Sequence, residues 1–195
     1  ENFPHIRAVL DDEETERMAA AFESPVILAS DIIEGSLRKA VEEKGINIIV
    51  YEAGEALRFN EFAIRAGVRG VISVMRELQM LPPGKTPKKK PFTEVAMTST
   101  WVRAPQSGIV RLIKPLGSWV KEDEVLGVVG DPFGDDEEQA LAPFDGVVIG
   151  KTNLPLVNEG EALFHIAKVK SRDTAGHIEE YQQVLDPNSD ATEPA

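Results

Sequence analysis

The feature that most restricts how this chain can fold is an internal repeat in its C-terminal half. Ala104-Pro105-Gln106-Ser107-Gly108-Ile109-Val110 recurs 38 residues later as Ala142-Pro143-Phe144-Asp145-Gly146-Val147-Val148. Val120 and Leu126 recur at an offset of 37 as Val157 and Leu163. Two copies of a strand-turn pattern, with glycines and apolar residues at equivalent places, imply two interlocked β-meanders that close a shared interior. The glycines are expected to take turn conformations that a Cβ forbids.

Over 95–169 this pattern resembles the barrel-sandwich fold of biotinyl and lipoyl carrier domains. Such carriers present a lysine on the hairpin between their two halves. Here that connection is Gly130-Asp131-Pro132-Phe133-Gly134-Asp135-Asp136-Glu137-Glu138-Gln139, and no lysine occurs between Lys121 and Lys151. Without an amine there is nothing to acylate, so no biotin or lipoate is expected. The hairpin acids do not have the spacing of an EF-hand loop and read as a solvated turn.

The N-terminal part reads differently. Asp11-Asp12-Glu13-Glu14 places acids at a helix start, followed by Met18, Ala19 and Phe22 on the apolar face. Pro25-Val26-Ile27-Leu28-Ala29 is a continuous apolar run, as expected of a strand covered on both faces. A second helix is expected over 35–44, stopped by Gly45, and a second strand over 46–51. Asn60 can cap a last helix with Ile64, Val68, Val71, Ile72, Met75 and Leu78 as its apolar face.

Between the two parts, residues 81–91 hold four prolines, a glycine and four lysines. Such a segment reads as a linker. A polyanion patch is the poorer reading, because the chain carries a formal charge of −12. The same charge argues against nucleic acid and anionic membranes as partners. No apolar run reaches the ~20 residues needed to cross a bilayer. Cysteine is absent, which removes disulfides, thiolate zinc sites and a cysteine nucleophile, and fits a cytoplasmic location. The acidic residues after Val169 read as a tail, with Ile178, Tyr181 and Val184 able to dock a short segment.

Chemistry in the N-terminal part centres on Tyr51-Glu52-Ala53-Gly54-Glu55, expected at the carboxyl end of an apolar strand, where open α/β sheets place ligands. A carboxylate there can serve as an acid or base, with a raised pKa if desolvated; a solvated strand-end Glu is the plain alternative. The three histidines, His5, His165 and His177, have no metal-site spacing, and His165 reads as a structural side chain.

Asn2-Phe3-Pro4-His5-Ile6-Arg7-Ala8, Gly35-Ser36-Leu37-Arg38 and Glu52-Ala53-Gly54-Glu55-Ala56-Leu57 together resemble the succinylglutamate desuccinylase/aspartoacylase family, zinc hydrolases related to metallocarboxypeptidases. The resemblance covers residues 1–169. It implies a partial zinc-peptidase-like α/β/α sheet over 1–81, a linker over 82–94, an all-β barrel-sandwich hybrid domain over 95–169 and an acidic tail over 170–195. Glu52 matches the family's catalytic glutamate, which takes a proton from zinc-bound water and passes it to the leaving amine. Arg38 matches the arginine that grips a substrate carboxylate, with a helix-surface arginine as its alternative. His5 and Arg7 lie in a matching motif without an assigned role.

The resemblance further implies one zinc ion whose ligands, a His-x-x-Glu pair and a later histidine, would lie upstream of Glu1. No metal ligand is therefore assigned here. The start without an initiator methionine is expected to be a cut. The implied activity is cleavage of the amide of an N-acylated amino acid or similar small molecule, absent from this chain alone. A homo-oligomer is compatible with it. The competing reading is a non-catalytic binding or assembly module.

Overall fold

The structure, a computed structural model, describes residues 1–84, 92–170 and 173–186. Among these residues it is a mixed α/β chain with two sheets and four helices. The first part runs β1 (Asn2–Ala8), α1 (Glu13–Ala21), β2 (Val26–Ala29), α2 (Leu37–Glu42), β3 (Val50–Gly54) and α3 (Glu61–Glu77). Capping follows the sequence: the Asp12, Ser36 and Asn60 side chains each accept a backbone N–H of the first turn.

The second part contains β4 (Glu94–Ala96), β5 (Ser99–Arg103), β6 (Gly108–Leu112), β7 (Trp119–Val120), β8 (Val125–Gly130), β9 (Glu137–Leu141), β10 (Gly146–Lys151), β11 (Leu156–Val157) and β12 (Ala162–Lys168), followed by α4 (Asp173–Leu185). The repeat interlocks through strand exchange. The short strand of each copy pairs with the other copy, β7 with β10 and β11 with β6. Likewise β9 pairs β8 and β5 pairs β12. Val120, Leu126, Val157 and Leu163 all fall in the buried interior. Gly108 and Gly146 do not adopt positive φ, contrary to expectation. They are required by close approach, since a Cβ would lie 2.2 Å from the Gly130 carbonyl oxygen and 2.4 Å from that of Ala167.

Although the segment between the two parts reads as a linker, the two parts share a sheet. One eight-stranded sheet contains strands of both, in the order β4-β2-β1-β10-β12-β5, with β3 against β1 and β7 against β10. Phe3, Val26 and Leu28 share a buried cluster with Val147, Ile149, Ala167, Val169 and Ile178. The β1 and β12 strands are too apolar on this side to stand alone in water, so each covers the other. Two residues separate the end of β4 from the start of β5, so the two ends of the sheet are tied to each other as well.

Three expectations in the first part also shift. β3 begins at Val50 rather than at Ile46, because its partner β1 faces it only from Arg7↔Val50 to Asn2↔Gly54. The chain reverses earlier than expected too: α2 ends at Glu42 and Gly45 adopts φ +67 beyond it. The helix α3 packs by its glycine face instead of its aliphatic stripe. A Cβ at Gly70 would lie 2.3 Å from the Phe22 ring, and one at Gly67 would lie 2.9 Å from the Tyr51 ring. Phe22 and Tyr51 are in turn 4.9 Å apart between ring centroids. With flat rings seated in that groove, Ile64, Val68 and Val71 point outward and are 41%, 56% and 53% exposed.

The expected docking after Val169 takes the form of α4, in which Ile178 and Leu185 are buried and Tyr181 meets Phe3 and Phe62; Val184 is exposed. Most of the expected linker, at 85–91, and the end of the tail, at 187–195, lie outside the described residues. The hairpin between the two copies closes through Asp131, whose Oδ1 accepts the backbone N–H of Phe133 and Asp135. Among the described residues no helix is long and apolar enough to cross a membrane.

Because Phe3 belongs to β1 but covers residues of β10 and β12, Phe3→Ala is expected to cost about 3–5 kcal/mol. Trp101 and Trp119 lie in the second part, so their fluorescence during urea unfolding should report that loss as a single shifted transition. An unchanged tryptophan midpoint contradicts the shared core.

Candidate functional site

β1 carries an irregularity that decides which side chains meet. Asn2 pairs with Gly54 and His5 with Glu52, so Phe3 and Pro4 together oppose Ala53. That is a β-bulge, placed where proline has no N–H to give to the ladder. Beyond it the strand alternates regularly, and His5 and Arg7 project from the same face as Glu52 on β3. Pro4 itself is tied down by the Ser24 hydroxyl, which donates to its carbonyl at 3.0 Å.

The three polar side chains form one cluster. Arg7 Nε donates to Glu52 Oε1 at 2.7 Å. His5 Nε2 approaches Glu52 Oε2 to 3.3 Å, within ion-pair range although its angle is not that of a hydrogen bond. On its other side, His5 Nδ1 lies 2.8 Å from the Phe3 carbonyl oxygen. His5 is sealed from solvent, whereas Arg7 and Glu52 keep 22% and 31% side-chain exposure and remain reachable.

Glu52 therefore sits mid-strand, not at a strand end. Because β3 runs antiparallel to β1, its carboxyl end lies beside the start of β1 and away from the carboxyl ends of β1 and β2. Its electrostatics are also reversed from the raised pKa considered above. His5 first, then Arg7, hold the Glu52 carboxyl down to about 2, against the desolvation that burial imposes.

Arg38 is placed elsewhere. Its guanidinium donates to the Ser30 carbonyl at 3.0 Å, the Ser30 hydroxyl at 3.1 Å and the Asp31 carbonyl at 2.8 Å. Ser30 lies four residues beyond Val26, which is level with His5 across β2. That separates the Arg38 anchor from the Glu52 row by about 13 Å of strand. Arg7, not Arg38, is the arginine that touches Glu52. The signal for it was present in the sequence: His5-x-Arg7 in a strand puts two cationic side chains on one face.

A fourth residue joins from the second part. His165 on β12 contacts the Ser99 hydroxyl at 2.8 Å through Nε2 and stacks on Trp101 at 4.3 Å between centroids. Burial first, then the charges of Arg7 and His5, push its pKa down to about 4, with Glu52 opposing. The residue read from sequence as merely structural thus lies in the electrostatic field of the candidate site. Two surface hollows do not have Glu52 in their lining, one of about 420 Å³ beside Trp119 and Lys121 to Glu124, and one of about 270 Å³ lined by its strand neighbours Tyr51 and Ala53 with Arg58 and Asn60. Among the described residues no group of three His, Cys, Asp or Glu side chains is placed to hold a metal ion.

No protein-family model matches the sequence, and no curated protein matches it. The fold, however, is shared with solved structures. A succinylglutamate desuccinylase/aspartoacylase from Rhodobacter sphaeroides matches with a TM-score of 0.73 at 21% identity, over 87% of this chain and 54% of that one. A succinylglutamate desuccinylase from a Silicibacter species matches with a TM-score of 0.72 at 22% identity, over 87% and 54%. The ectoine utilization protein EutE (DoeB) from Ruegeria pomeroyi matches with a TM-score of 0.73 at 18% identity, over 85% and 55%. The chain spans about half the length of these structures.

The clamp on Glu52 is directly measurable. Arg7→Gln removes the guanidinium beside it, so the Glu52 pKa should rise from about 2 toward the ordinary 4.5, read by carboxyl carbon NMR during acid titration. A depressed carboxylate stabilises the fold fully above its unfolded value. That stabilisation is lost as pH falls from about 4.5 to about 2, and Arg7→Gln should flatten this acid slope. A Glu52 titration unchanged by Arg7→Gln contradicts the clamp.

Proposed function

We propose that this chain is part of a hydrolase of the deacylase kind, which cleaves the amide of an N-acylated amino acid or a similar small molecule. The observation that carries the reading is Glu52, a reachable carboxylate held from both oxygens in a sheet shared in fold with desuccinylase structures. In this reading Glu52 takes a proton from the attacking water as the new C–O bond forms. It then hands that proton to the amine as the C–N bond breaks, releasing a carboxylic acid and an amine.

The depressed pKa sharpens this assignment. A base works best when its pKa is near the operating pH, and a carboxylate near 2 is a weak base at neutrality. The reading therefore requires the Arg7 contact to loosen when substrate binds. Only Nε of Arg7 donates to Glu52, and its two terminal nitrogens form a fork suited to a substrate carboxylate. Arg38, implied by resemblance as a carboxylate-gripping arginine, would need to exchange its Ser30 and Asp31 contacts for the substrate.

The zinc implied by the resemblance does not fit the residues described. His5 Nδ1 is taken by the Phe3 carbonyl, and among the described residues no group of three His, Cys, Asp or Glu side chains offers a ligand set. No step here is drawn through a metal; its ligands would belong to the half of the fold that this chain does not span. On the same reading, residues 1–81 form the C-terminal portion of a catalytic unit. Residues 95–169 form a barrel-sandwich module without a carrier lysine, 82–94 link the two, and 170–195 are an appended tail. The setting is cytoplasmic, the ligand is a small acylated molecule rather than nucleic acid or membrane, and a homo-oligomer is compatible.

One observation favours the alternative of a non-catalytic assembly module: the outward stripe of Ile64, Val68 and Val71 on α3, an apolar face suited to a protein partner. Release of amine from N-acyl amino acids separates the two readings. The 195-residue chain should release none. A longer protein carrying it should turn over and lose about 10²–10⁴-fold in kcat on Glu52→Gln. Turnover indifferent to Glu52→Gln would remove the hydrolase reading of this residue.

A further inference from the structure

His5 is completely buried, yet each of its ring nitrogens faces an acceptor. Nδ1 lies 2.8 Å from the Phe3 carbonyl oxygen, which has no proton to give, so the proton of that contact is on Nδ1. Nε2 lies 3.3 Å from Glu52 Oε2 and has no hydrogen-bond partner among the described residues. An imidazole protonated only at Nδ1 would leave the electron-rich Nε2 3.3 Å from a carboxylate oxygen with no proton between them. Two acceptors facing each other beside a sealed ring repel, and no water can intervene on the His5 side. Arg7 on Oε1 keeps the carboxylate as the ionised member of the pair.

We propose that His5 carries a proton on both ring nitrogens and is the positioning residue for Glu52. The Phe3 carbonyl orients the ring, the charge at Nε2 draws Oε2 in as an ion pair, and Arg7 fixes Oε1. A carboxylate has about four acceptor lone-pair sites, so one on each oxygen is left for water or substrate. The bulge makes this alignment, because it brings the backbone carbonyl of Phe3 round to the ring two residues on.

The charges that face the cluster are consistent with it. His5 and Arg7 on β1 and Glu52 on β3 leave a net charge of one positive unit. His165 on β12, which feels the same charges, is held neutral by burial and by those same two cations. A site with one surplus positive charge, inside a chain of formal charge −12, selects a ligand with a single carboxylate close to its reacting bond. The inference deepens the hydrolase reading and takes its functional meaning from it.

The test uses the 195-residue chain itself, labelled with ¹⁵N and observed by long-range ¹H–¹⁵N correlation of its histidine rings at neutral pH. The expected result is that both His5 ring nitrogens are protonated, with ring N–H protons that exchange slowly with solvent. In Glu52→Gln the amide donates to Nε2, so the Nε2 proton should vanish while the Nδ1 proton stays; unchanged backbone amide shifts verify the fold. A wild-type His5 with a single ring proton overturns the proposal, as does a variant that keeps both. If the variant does not fold, the wild-type spectrum decides alone. The spectrum is independent of turnover: a neutral His5 removes this device and leaves the hydrolase reading standing, and an inactive longer protein leaves the His5 result standing.

Discussion

β1 is seven residues long and is bonded on three sides, parallel to β2, antiparallel to β3 and, at Asn2, antiparallel to β10. A strand in this position must bury both faces, and its residues divide accordingly. Ile6 and Ala8 meet α1 and α3 through Ala19, Phe22 and Val74, while Phe3 enters the cluster shared with β10, β12 and α4. The remaining positions, His5 and Arg7, are polar on a face that is largely closed to water. Burying cations there is costly unless they are paired, and Glu52 directly opposite His5 supplies the pairing. The site is in this sense a consequence of the sheet: the same strand that joins the two parts of the chain brings a carboxylate, an imidazole and a guanidinium together.

That origin explains why the carboxylate is so acidic in the resting chain. Electrostatic satisfaction of a buried cluster and basicity of a catalytic carboxylate pull in opposite directions, and here the first dominates. A change of partner by Arg7 on substrate binding would shift the balance at the moment when basicity is needed. His165 brings β12 into the same field, so the second part contributes to the electrostatics of the site as well as to its covering.

Much of this was legible in sequence, and the exceptions have physical causes. The repeat fixed the interlocked strands, because equivalent glycines and valines fill equivalent sheet positions. The Asn60 cap is local chemistry and was read locally, and Asp12 fell among the acids expected at a helix start, whereas Ser36, expected inside the second helix, is its cap. The shift of β3 was not, because strand ends are set by the partner, and only β1 determines that Val50 is the first residue faced. The wrong face of α3 was chosen for a related reason. Aliphatic residues outnumber glycines on that helix, but the facing surface consists of the Phe22 and Tyr51 rings, and only a glycine groove admits them. Glu52 was singled out from its motif and His5-x-Arg7 was legible as one face of a strand; that His165 of β12 shares their field required the sheet that joins the two parts.

The central claim is that β1 makes both parts one cooperative structure around the His5–Arg7–Glu52 cluster, and native-state hydrogen exchange tests it most directly. Amides in β1, β10 and β12 should open together, with the same free energy and the same denaturant dependence, because opening β1 uncovers Val147, Ile149 and Ala167. Exchange of β1 by a low-energy opening that leaves β10 and β12 fully protected would show two independent units and contradict the account.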